Sequence, residues 1–468
     1  MQKRKRLLVV SQVYVPDPTS VGQHVADAAE EMARRGWEVS VLAANRGYED
    51  ASRRYVDREV RGGVEIRRLF FSSMGKKTIL HRLGGQLSFC LQAAVRGLLG
   101  QRPDLVLVST SPPMAPIVGV LLSRLRGIPF VWWAMDINPD QAVISGQARA
   151  GSVPVRLLEA LIRSVLRRAR AVVALDRFMA ARLEAKVPEV RGRMHTMPPW
   201  PHETFLGEAA RLENPFRREQ GFGAKFVVMY SGNHSLVHPL DTLLAAAERL
   251  RDEEGILFVF VGGGAGKAQV EEVVRSGKCP NVVSLPYQPM ENLKHSLSAA
   301  DVHAVTMGED MVGIVHPCKF YGAMAIGKPV ICFAPRESHL AELIEETWCG
   351  WRFDHGDVDG VVAKLRELAG AVFGKAESGN AEKLKLGKAE HPRDSAEPKG
   401  ETNVWPREGT RSEAEQCGDA ERLKDGRDDK GRLDEVGRRG LEAVRGKYGE
   451  QELRRRFCDV LEGAAGLP

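Results

Sequence analysis

The residues with the clearest capacity for chemistry lie in the stretch 311–335, where a loop that carries a lysine precedes a short apolar segment. Pro317, directly after His316, predicts a helix start and Gly327 its end, because proline favours the first helical position and glycine follows the last. A helix start leaves N–H groups unpaired and carries the positive end of the helix dipole, which together stabilise an anion such as phosphate. Lys319 adds a full charge there. An ordinary connection with a solvated lysine is the alternative.

Polar residues that directly follow other predicted strands form a second group of candidates. Gly22, Gln23 and His24 come after the first strand, and Asp136 follows a strand that contains two tryptophans. Ligands of open parallel sheets bind at the carboxyl ends of the strands. We expect Gly22 to admit a ligand close to the backbone and Asp136 to contact a polar ligand. A tight turn and a helix cap are the respective alternatives.

A third group follows the predicted strand 226–230. Gly232 and Asn233 come first, and His234 and His238 stand four residues apart. Two histidines at this spacing are compatible with a metal site, but no further pair of ligands stands near them in the sequence. We therefore assign no metal to them and expect both to hydrogen-bond a ligand.

A glycine turn follows the next predicted strand, and it contains Gly262, Gly263 and Gly264. It differs from a phosphate-binding P-loop because Ala268 occupies the position that needs Ser or Thr. It also differs from the dinucleotide fingerprint, whose third glycine is replaced by Lys267. The turn therefore predicts a ligand at a cleft edge and leaves the identity of that ligand open.

These candidates stand in a regular alternation of predicted strands and helices, which is typical of parallel sheets covered by helices on both faces. Closely spaced prolines at 198–201 exclude both strand and helix and mark a boundary between domains. The stretch from 371 is rich in charged residues and poor in large apolar ones, which predicts disorder. We predict an α/β fold with two doubly wound, Rossmann-like domains that face each other across a cleft, with these segments: domain 1–200, linker 201–224, domain 225–370, disordered insert 371–430 and C-terminal helices 431–468.

Composition narrows the class of protein. The chain has 468 residues, 43% of them hydrophobic, which suffices for two sizeable cores. We find no apolar run long enough to span a bilayer. We interpret the basic start as leading into a first strand and not as a signal peptide, because no small-residue cleavage site follows. The 7 cysteines are scattered without a C-x-x-C pair, which argues against disulfides and zinc and favours a reducing cytosol.

Charge is distributed unevenly along the chain. Residues 1–200 contain 31 Lys and Arg against 17 Asp and Glu, while the remainder contains 36 against 44. The first half therefore has a net charge of +14 and the second of −8, which favours an anionic partner for the first half. No nucleic-acid-binding motif is present, so we expect no nucleic acid. Peripheral contact with an anionic membrane through the helices at 80–99 or 153–170 is a hypothesis, and a solvated helix face is its alternative.

Several motifs together resemble the family 4 glycosyltransferases, and in particular those that assemble bacterial exopolysaccharide and O-antigen. The residues that carry the resemblance are Tyr230-Ser231-Gly232-Asn233, Val261-Gly262-Gly263-Gly264, and Pro317 and Lys319 followed by Ala325, Gly327, Lys328, Pro329 and Val330. The resemblance covers the chain from Leu7 to about Leu368 and again from Leu433 to the end.

This resemblance implies a GT-B fold whose final helices return to the first domain, and a retaining transfer from a nucleotide-sugar without a bound metal or other cofactor. The nucleotide-sugar would be a co-substrate, and a glycan or lipid-linked sugar would accept the transferred group. The implied donor site comprises Gly232, Asn233, His234, His238, Gly262, Gly263, Gly264, Val315, His316, Cys318, Lys319 and Phe320. The implied acceptor side comprises Gly22, Gln23, His24 and Asp136, with Asp136 and Lys319 as the catalytic residues. The expected location is the cytoplasm, at the inner face of the plasma membrane.

The sequence departs from the family pattern at the positions of a glutamate pair that many members carry, which here are Ile314 and Gly322. Arg and Lys, which often follow the first strand of the second domain, are replaced by Asn233 and His238. Two other functions therefore stay open. One is a non-catalytic nucleotide-sugar-binding partner of another transferase, and the other is a nucleotide-sugar epimerase of the same fold.

Overall fold

The structure is a computed structural model that describes residues 4–47, 52–72, 79–201, 211, 213–385 and 429–466. Its first domain is built on an eight-stranded sheet with the strand order β3-β4-β2-β1-β5-β6-β7-β8. All neighbouring strands are parallel except β3 and β4 at one edge. The strands are β1 Arg6–Val10, β2 Glu38–Ala44, β3 Arg58–Arg61, β4 Val64–Leu69, β5 Leu105–Val108, β6 Phe130–Ala134, β7 Ala171–Ala174 and β8 Met194–Thr196.

Helices connect these strands, as parallel pairing requires. They are α1 Ser20–Arg34, α2 Ile79–Leu99, α3 Pro116–Arg126, α4 Asp140–Ile144, α5 Val153–Arg168 and α6 Arg177–Lys186. Short helix α7, Pro215–Glu219, then precedes the second domain. Every residue of β5, β6 and β7 is buried, which explains why these strands read as continuous apolar runs.

The second domain has a six-stranded sheet with the order β11-β10-β9-β12-β13-β14, and all of its strands are parallel. Its strands are β9 Phe226–Ser231, β10 Ile256–Val261, β11 Val282–Leu285, β12 Val302–Thr306, β13 Val330–Phe333 and β14 Gly350–Phe353. Its helices are α8 Asp241–Arg249, α9 Lys267–Ser276, α10 Leu293–Ser298, α11 Lys319–Ala325, α12 His339–Thr347 and α13 Val358–Lys385. The strand order reverses between β9 and β12, so a ligand crevice is expected at the carboxyl ends of these two strands.

Two C-terminal helices complete the chain, α14 Asp429–Arg445 and α15 Glu450–Ala464. Helix α15 packs on the first domain, where the ring of Phe457 lies 3.9 Å from that of Trp133, measured between centroids. Helix α14 packs instead on α11 of the second domain. The predicted return to the first domain is therefore made by α15 alone among the described helices.

The prediction of two doubly wound domains is confirmed, but some details of the boundaries are wrong. Helix α11 begins at Lys319 with Cys318 as its N-cap, so Pro317 precedes the helix and does not occupy its first turn. Helix α13 continues through 371–385, a stretch predicted as disordered. Val372 explains the start of this continuation, because it is buried in the core of the second domain. Residues 386–428 lie outside the described residues.

The predicted linker 201–224 is only partly described, since 202–210 and 212 lie outside the described residues. Within its described part, α7 packs on the second domain through Phe216, which is buried. Arg217 is also buried, and its guanidinium lies 3.2 Å from the Asp301 carboxylate. The end of this segment is therefore anchored to the second domain.

Candidate active site

Lys319 lies at the start of α11, and its side chain is directed towards the end of β9. Its Nζ lies 2.5 Å from the hydroxyl of Tyr230 and 3.3 Å from the carbonyl oxygen of Asn233, which accepts a hydrogen bond. Burial lowers the pKa of Lys319 to about 7. Both hydrogen-bond partners are neutral, so they satisfy the N–H groups without balancing the charge. An anion bound beside Nζ would therefore be stabilised.

Two glycine turns form the surface beside this lysine. Gly232, Gly262 and Gly264 have φ values of +128°, +129° and +123°, which favour glycine. A Cβ on Gly262 would lie 2.0 Å from the carbonyl oxygen of Gly232, and one on Gly264 would lie 2.2 Å from Asn233 Oδ1. The turns after β9 and β10 thus pack directly against each other. The carbonyl oxygen of Gly263, between Gly262 and Gly264 in the second turn, accepts a hydrogen bond from the hydroxyl of Tyr287 at 3.2 Å.

The two histidines after β9 have different surroundings. His234 is fully buried, its Nδ1 faces the carbonyl of Gly232 at 3.1 Å, and burial lowers its pKa to about 4. Its ring supports the turn from below and does not face a ligand. Burial and the nearby Lys319 charge hold the pKa of His238 well below its usual range, so this ring is neutral beside the lysine. The Lys319 charge contributes to the lowered pKa of both imidazoles, so both rings lie within reach of the predicted anion position.

The backbone from Val315 to Phe320 offers unequal amides. The N–H of Val315 bonds to the carbonyl of Met311 at 3.3 Å, and that of Phe320 to the carbonyl of Pro317 at 3.2 Å. Among the described residues, the N–H groups of His316, Cys318 and Lys319 bond to no backbone carbonyl. These three amides are the candidates for contact with an anion, whereas the N–H groups of Val315 and Phe320 already have backbone partners. The side chain of Phe320 is also fully buried in the core.

The His316 side chain is engaged with protein groups. Its Nδ1 lies 2.9 Å from Asp176 Oδ2 and its Nε2 lies 3.0 Å from the hydroxyl of Tyr321, both in buried positions. The prediction that His316 binds the donor therefore finds support only for its backbone N–H. Its imidazole instead joins the loop before α11 to the first domain.

Asp176, His316 and His339 place three potential metal-ligand atoms within 4.8 Å of one another. The two imidazole rings are stacked, however, with centroids 4.0 Å apart and planes 13° apart. Nitrogen lone pairs lie in the ring plane, so those of stacked rings run side by side and do not converge on one tetrahedral ion. The set fits a hydrogen-bonded group better than a metal site, and we assign no metal to it.

Asp136 follows β6 and faces the second domain. Burial raises its pKa to about 6, and among the described residues it has no hydrogen-bond partner. Its charge reaches Cys318, whose pKa is raised mainly by burial, and the Ser20 hydroxyl also lies near this thiol. Asp136 and Ser20 from the first domain thus lie opposite the start of α11. A partly desolvated carboxylate in this place can accept a hydrogen bond from a hydroxyl group.

The acceptor-side residues near the first strand are occupied by the protein itself. Gly22 packs against the backbone of Tyr14, where a Cβ would come within 3.2 Å of Tyr14 N, so packing explains this glycine. The ring nitrogens of His24 face the carbonyls of Ser20 at 2.7 Å and Trp200 at 2.9 Å, and its side chain is buried. The prediction that His24 contacts an acceptor is therefore not supported. Gln23 reaches the second domain, with Nε2 3.6 Å from Met290 Sδ.

Sequence reasoning missed Tyr230, Asp176, His339 and Tyr321. Asp176 could have been found by the rule that selected Asp136, since it also follows a buried strand, here β7. Tyr230 stands at an apolar position of β9, so its pattern was that of a core residue. No pattern in the sequence marked His339 as a site residue, because its contact with His316 depends on how α12 packs.

Comparison with known proteins then identifies the family. A profile for a glycosyl transferase 4-like domain matches residues 19–200, and a profile for glycosyl transferases group 1 matches residues 213–370. This chain belongs to the family 4 glycosyltransferases. The family predicted from the sequence is therefore confirmed, together with its GT-B fold.

Relatives of this glycosyltransferase include two curated proteins. Over 268 residues it is 27% identical to the probable glycosyltransferase WbjE of Pseudomonas aeruginosa, an alignment that spans 57% of this chain and 66% of WbjE. Over 356 residues it is 26% identical to the putative colanic acid biosynthesis glycosyl transferase WcaI of Escherichia coli K12, spanning 73% of this chain and 86% of WcaI. A solved structure of Anabaena HepE in complex with UDP-glucose has the same fold, with a TM-score of 0.61, 12% identity and 98% and 99% of the two chains covered.

Neither residue at the positions of the glutamate pair, Ile314 or Gly322, has a side chain that could act as a carboxylate does. Ile314 is fully buried, and its carbonyl accepts a hydrogen bond from the N–H of Ile137 at 3.0 Å. Gly322 lies in α11 with no atom within 4 Å of where a Cβ would stand. The space for a side chain at 322 therefore remains while the carboxylate is absent.

Proposed function

We propose that this glycosyltransferase transfers a sugar from a nucleotide-sugar to a glycan or lipid-linked acceptor during the assembly of cell-surface polysaccharide. The observation that carries the proposal is the position of Lys319, whose ammonium lies at the point where the strand order of the second sheet reverses, beside two glycine turns. The names of WbjE and WcaI support the polysaccharide context. The HepE complex supports a nucleotide-sugar donor.

The chemistry follows from the charge that develops on the leaving group. When the bond between the sugar and the diphosphate breaks, negative charge grows on the diphosphate. Lys319 Nζ and the N–H groups of His316, Cys318 and Lys319 would stabilise that charge more strongly in the transition state than in the ground state. Asp136, across from Cys318, would accept a hydrogen bond from the attacking hydroxyl group. We propose retention of configuration because the resemblance to the family implies it. We propose that no metal is needed because the lysine and the amides would stabilise the charge of the leaving group.

The purified chain can be tested with a panel of nucleotide-sugars and lipid-linked or oligosaccharide acceptors, with release of the nucleoside diphosphate as the signal. We expect release that depends on both donor and acceptor, survives EDTA and yields a product with the anomeric configuration of the donor by NMR. Binding of a donor without any turnover would favour the non-catalytic partner. Conversion of the donor without an acceptor would favour the epimerase.

We also propose that the enzyme acts in the cytoplasm as a peripheral protein on the inner face of the plasma membrane. Among the described residues, no helix combines the length and apolar character needed to cross a bilayer. Helix α2 carries exposed apolar side chains at a spacing of four residues, so they share one face. They are Leu83, Leu87, Leu91, Val95 and Leu99, with exposures from 39% to 83%.

Basic residues lie on the helices that follow α2 in this layer. Helix α3 packs against both α2 and α5. A shallow depression on α3 and α5 is lined by Arg124, Arg167 and Arg168, with Ser164. A peripheral membrane surface combines two features. Apolar side chains enter the lipid–water interface, and nearby arginines bind lipid phosphates.

Sedimentation with vesicles of phosphatidylglycerol and phosphatidylethanolamine tests this surface. We expect the wild type to pellet with these vesicles at low salt and the Leu87→Gln/Leu91→Gln variant to remain in the supernatant. The matched control is Val56→Gln/Val60→Gln, since these valines are equally exposed, at 67% and 75%, but lie at the β3 edge of the sheet. Equal pelleting of the two double variants would exclude α2 as the contact.

A further inference from the structure

The loop that carries the candidate amides is held by the first domain. We call residues 311–318 the donor loop. Its Ile314 carbonyl accepts from the N–H of Ile137 at 3.0 Å, and its Val312 carbonyl accepts from Arg182 Nε at 2.7 Å. At Gly313, φ is +69° and a Cβ would lie 2.6 Å from the backbone of Phe178. The first domain therefore fixes the shape of a loop that belongs to the second domain.

Asp176 is the first-domain carboxylate that contacts the donor loop. Its Oδ2 lies 2.9 Å from Nδ1 of His316, and the two side chains are only 7% and 1% exposed. Its Oδ1 accepts a hydrogen bond from the N–H of Met179 at 2.8 Å, which makes Asp176 the N-cap of α6. The carboxylate is thus fixed in direction by its own helix before it meets the loop.

The Asp176 carboxylate stays ionised in this buried position. Burial alone would raise the pKa of Asp176, but the hydrogen bond from His316 and the nearby imidazoles outweigh it and lower the pKa to about 2. A carboxylate that stays ionised in a buried position makes a strong hydrogen bond to an imidazole N–H. The other ring nitrogen of His316, Nε2, lies 3.0 Å from the Tyr321 hydroxyl.

We propose that Asp176 is a positioning residue for the donor site, which acts across the domain junction by orienting the donor loop through His316. His316 supplies one of the candidate amides and stands three residues before Lys319, so its orientation sets where the diphosphate can bind. The inference rests on the proposed function for the identity of the ligand. It adds that the donor site is complete only when the first domain contributes Asp176.

His339 supports the same arrangement. Its ring lies against that of His316, with centroids 4.0 Å apart, and its Nδ1 is 3.3 Å from Asp176 Oδ2. Neither ring nitrogen of His339 makes a hydrogen bond, although the side chain is only 4% exposed. The ring therefore covers one face of His316 and keeps water away from the Asp176 contact. Exclusion of water strengthens that contact.

The test uses a substitution that removes the contact to His316 and keeps the helix cap. In Asp176→Ser the hydroxyl can still accept from the N–H of Met179, because serine is a good N-cap, but the side chain is too short to reach His316 as well. In Asp176→Asn, Oδ1 can still accept from the N–H of Met179, and the neutral Nδ2 faces Nδ1 of His316, which can accept its hydrogen bond only when that nitrogen carries no proton. The matched control is Glu342→Gln, which removes a carboxylate from the exposed Arg177–Glu342 pair at the same junction.

Binding of UDP, GDP and dTDP is measured by titration calorimetry, and donor and acceptor KM are measured separately. For Asp176→Ser we expect Kd for the nucleoside diphosphate and donor KM to rise about tenfold to a hundredfold. This is the effect expected from the loss of one buried charge-assisted hydrogen bond. We expect acceptor KM to change less than donor KM, an intermediate result for Asp176→Asn, and a change below about threefold for Glu342→Gln.

A general loss of stability would not produce this pattern, since it would affect donor and acceptor KM alike. The inference is overturned if Asp176→Ser binds the nucleoside diphosphate as the wild type does, or if Asn and Ser at 176 are equally damaging. Failure of the proposed function looks different. In that case the wild type would bind a nucleoside diphosphate without transferring sugar, and the Kd comparison would still decide the role of Asp176.

Discussion

The two lysines near the donor site should respond in opposite ways to the same substitution. Lys319 Nζ contacts the Tyr230 hydroxyl and a carbonyl at the edge of the cleft. Lys267 Nζ donates to the carbonyls of Phe260 at 3.1 Å and Leu285 at 2.6 Å, which joins the ends of β10 and β11. Methionine keeps an unbranched side chain at each place and removes the charge. Lys319→Met should therefore lose activity, and Lys267→Met should lose stability.

The magnitudes follow from these contacts. Removing one preorganised donor to a developing anion lowers kcat by about 10²- to 10³-fold, which is the effect expected for Lys319→Met. Burial lowers the pKa of Lys319 to about 7, so between about pH 7 and its ordinary value of 10.5 the unfolded chain binds more protons at this group. Burial of this group therefore destabilises the fold, fully below about pH 7 and less as the pH rises towards 10.5, so its removal should not lower the melting temperature. Lys267→Met removes the charged donor shared by the Phe260 and Leu285 carbonyls, although Leu285 keeps its bond from the N–H of Gly262, and this loss costs about 1–3 kcal/mol.

The assay is release of nucleoside diphosphate under saturating donor at 25 °C, together with thermal unfolding of each variant without ligand. We expect low kcat with an unchanged or higher melting temperature for Lys319→Met, and near-normal kcat with a melting temperature lower by several degrees for Lys267→Met. A Lys319→Met enzyme with more than a third of the wild-type kcat would refute the role of this lysine. So would a larger loss of kcat in Lys267→Met.

Two further predictions use the same region. Above pH 7, Lys319 is largely neutral in the free protein and becomes charged beside a diphosphate, so donor binding should take up a proton and weaken as the pH rises. Calorimetry in phosphate and in Tris at pH 8 should give different apparent enthalpies for the wild type and equal ones for Lys319→Met. Gly262→Ala places a Cβ 2.0 Å from a carbonyl oxygen at positive φ and should destabilise by more than about 2 kcal/mol. Gly322→Ala, in a helix with open space around it, should instead stabilise by about 0.5–1 kcal/mol, and equal melting temperatures for the two would contradict both expectations.

The architecture could be predicted from the sequence because its cause is local. A strand covered on both faces needs apolar side chains at every position, as in β10, where each residue from Ile256 to Val261 is buried. Alternation of such runs with helical patterns permits few folds other than parallel sheets covered by helices on both faces. The cleft could be placed for the same reason, since ligands of parallel sheets bind at the carboxyl ends of the strands. The point between β9 and β12 where the strand order reverses is known only from the structure.

The individual site contacts could not be predicted, because they join distant parts of the chain. The Asp176–His316 pair spans 140 positions, and it forms only because the two domains meet at the donor loop. His24 shows the opposite error. Its place after a strand suggested a ligand contact, but the ring packs at 5.1 Å from that of Trp200 and its nitrogens face backbone carbonyls. A position after a strand identifies an edge of the sheet, and tertiary packing decides which residues at that edge face the cleft.

The contacts of the donor loop also bear on the order of binding. Binding at the loop and contact between the domains are linked, so each must strengthen the other by the same factor. Donor bound at the loop would therefore favour the closed arrangement, in which Asp136 and Ser20 lie near Cys318. Asp136 is the first-domain group that we propose contacts the acceptor, so its position relative to Cys318 depends on a loop that the donor stabilises. The physical expectation is an ordered mechanism with the donor first, in which a nucleoside diphosphate product competes with donor and not with acceptor.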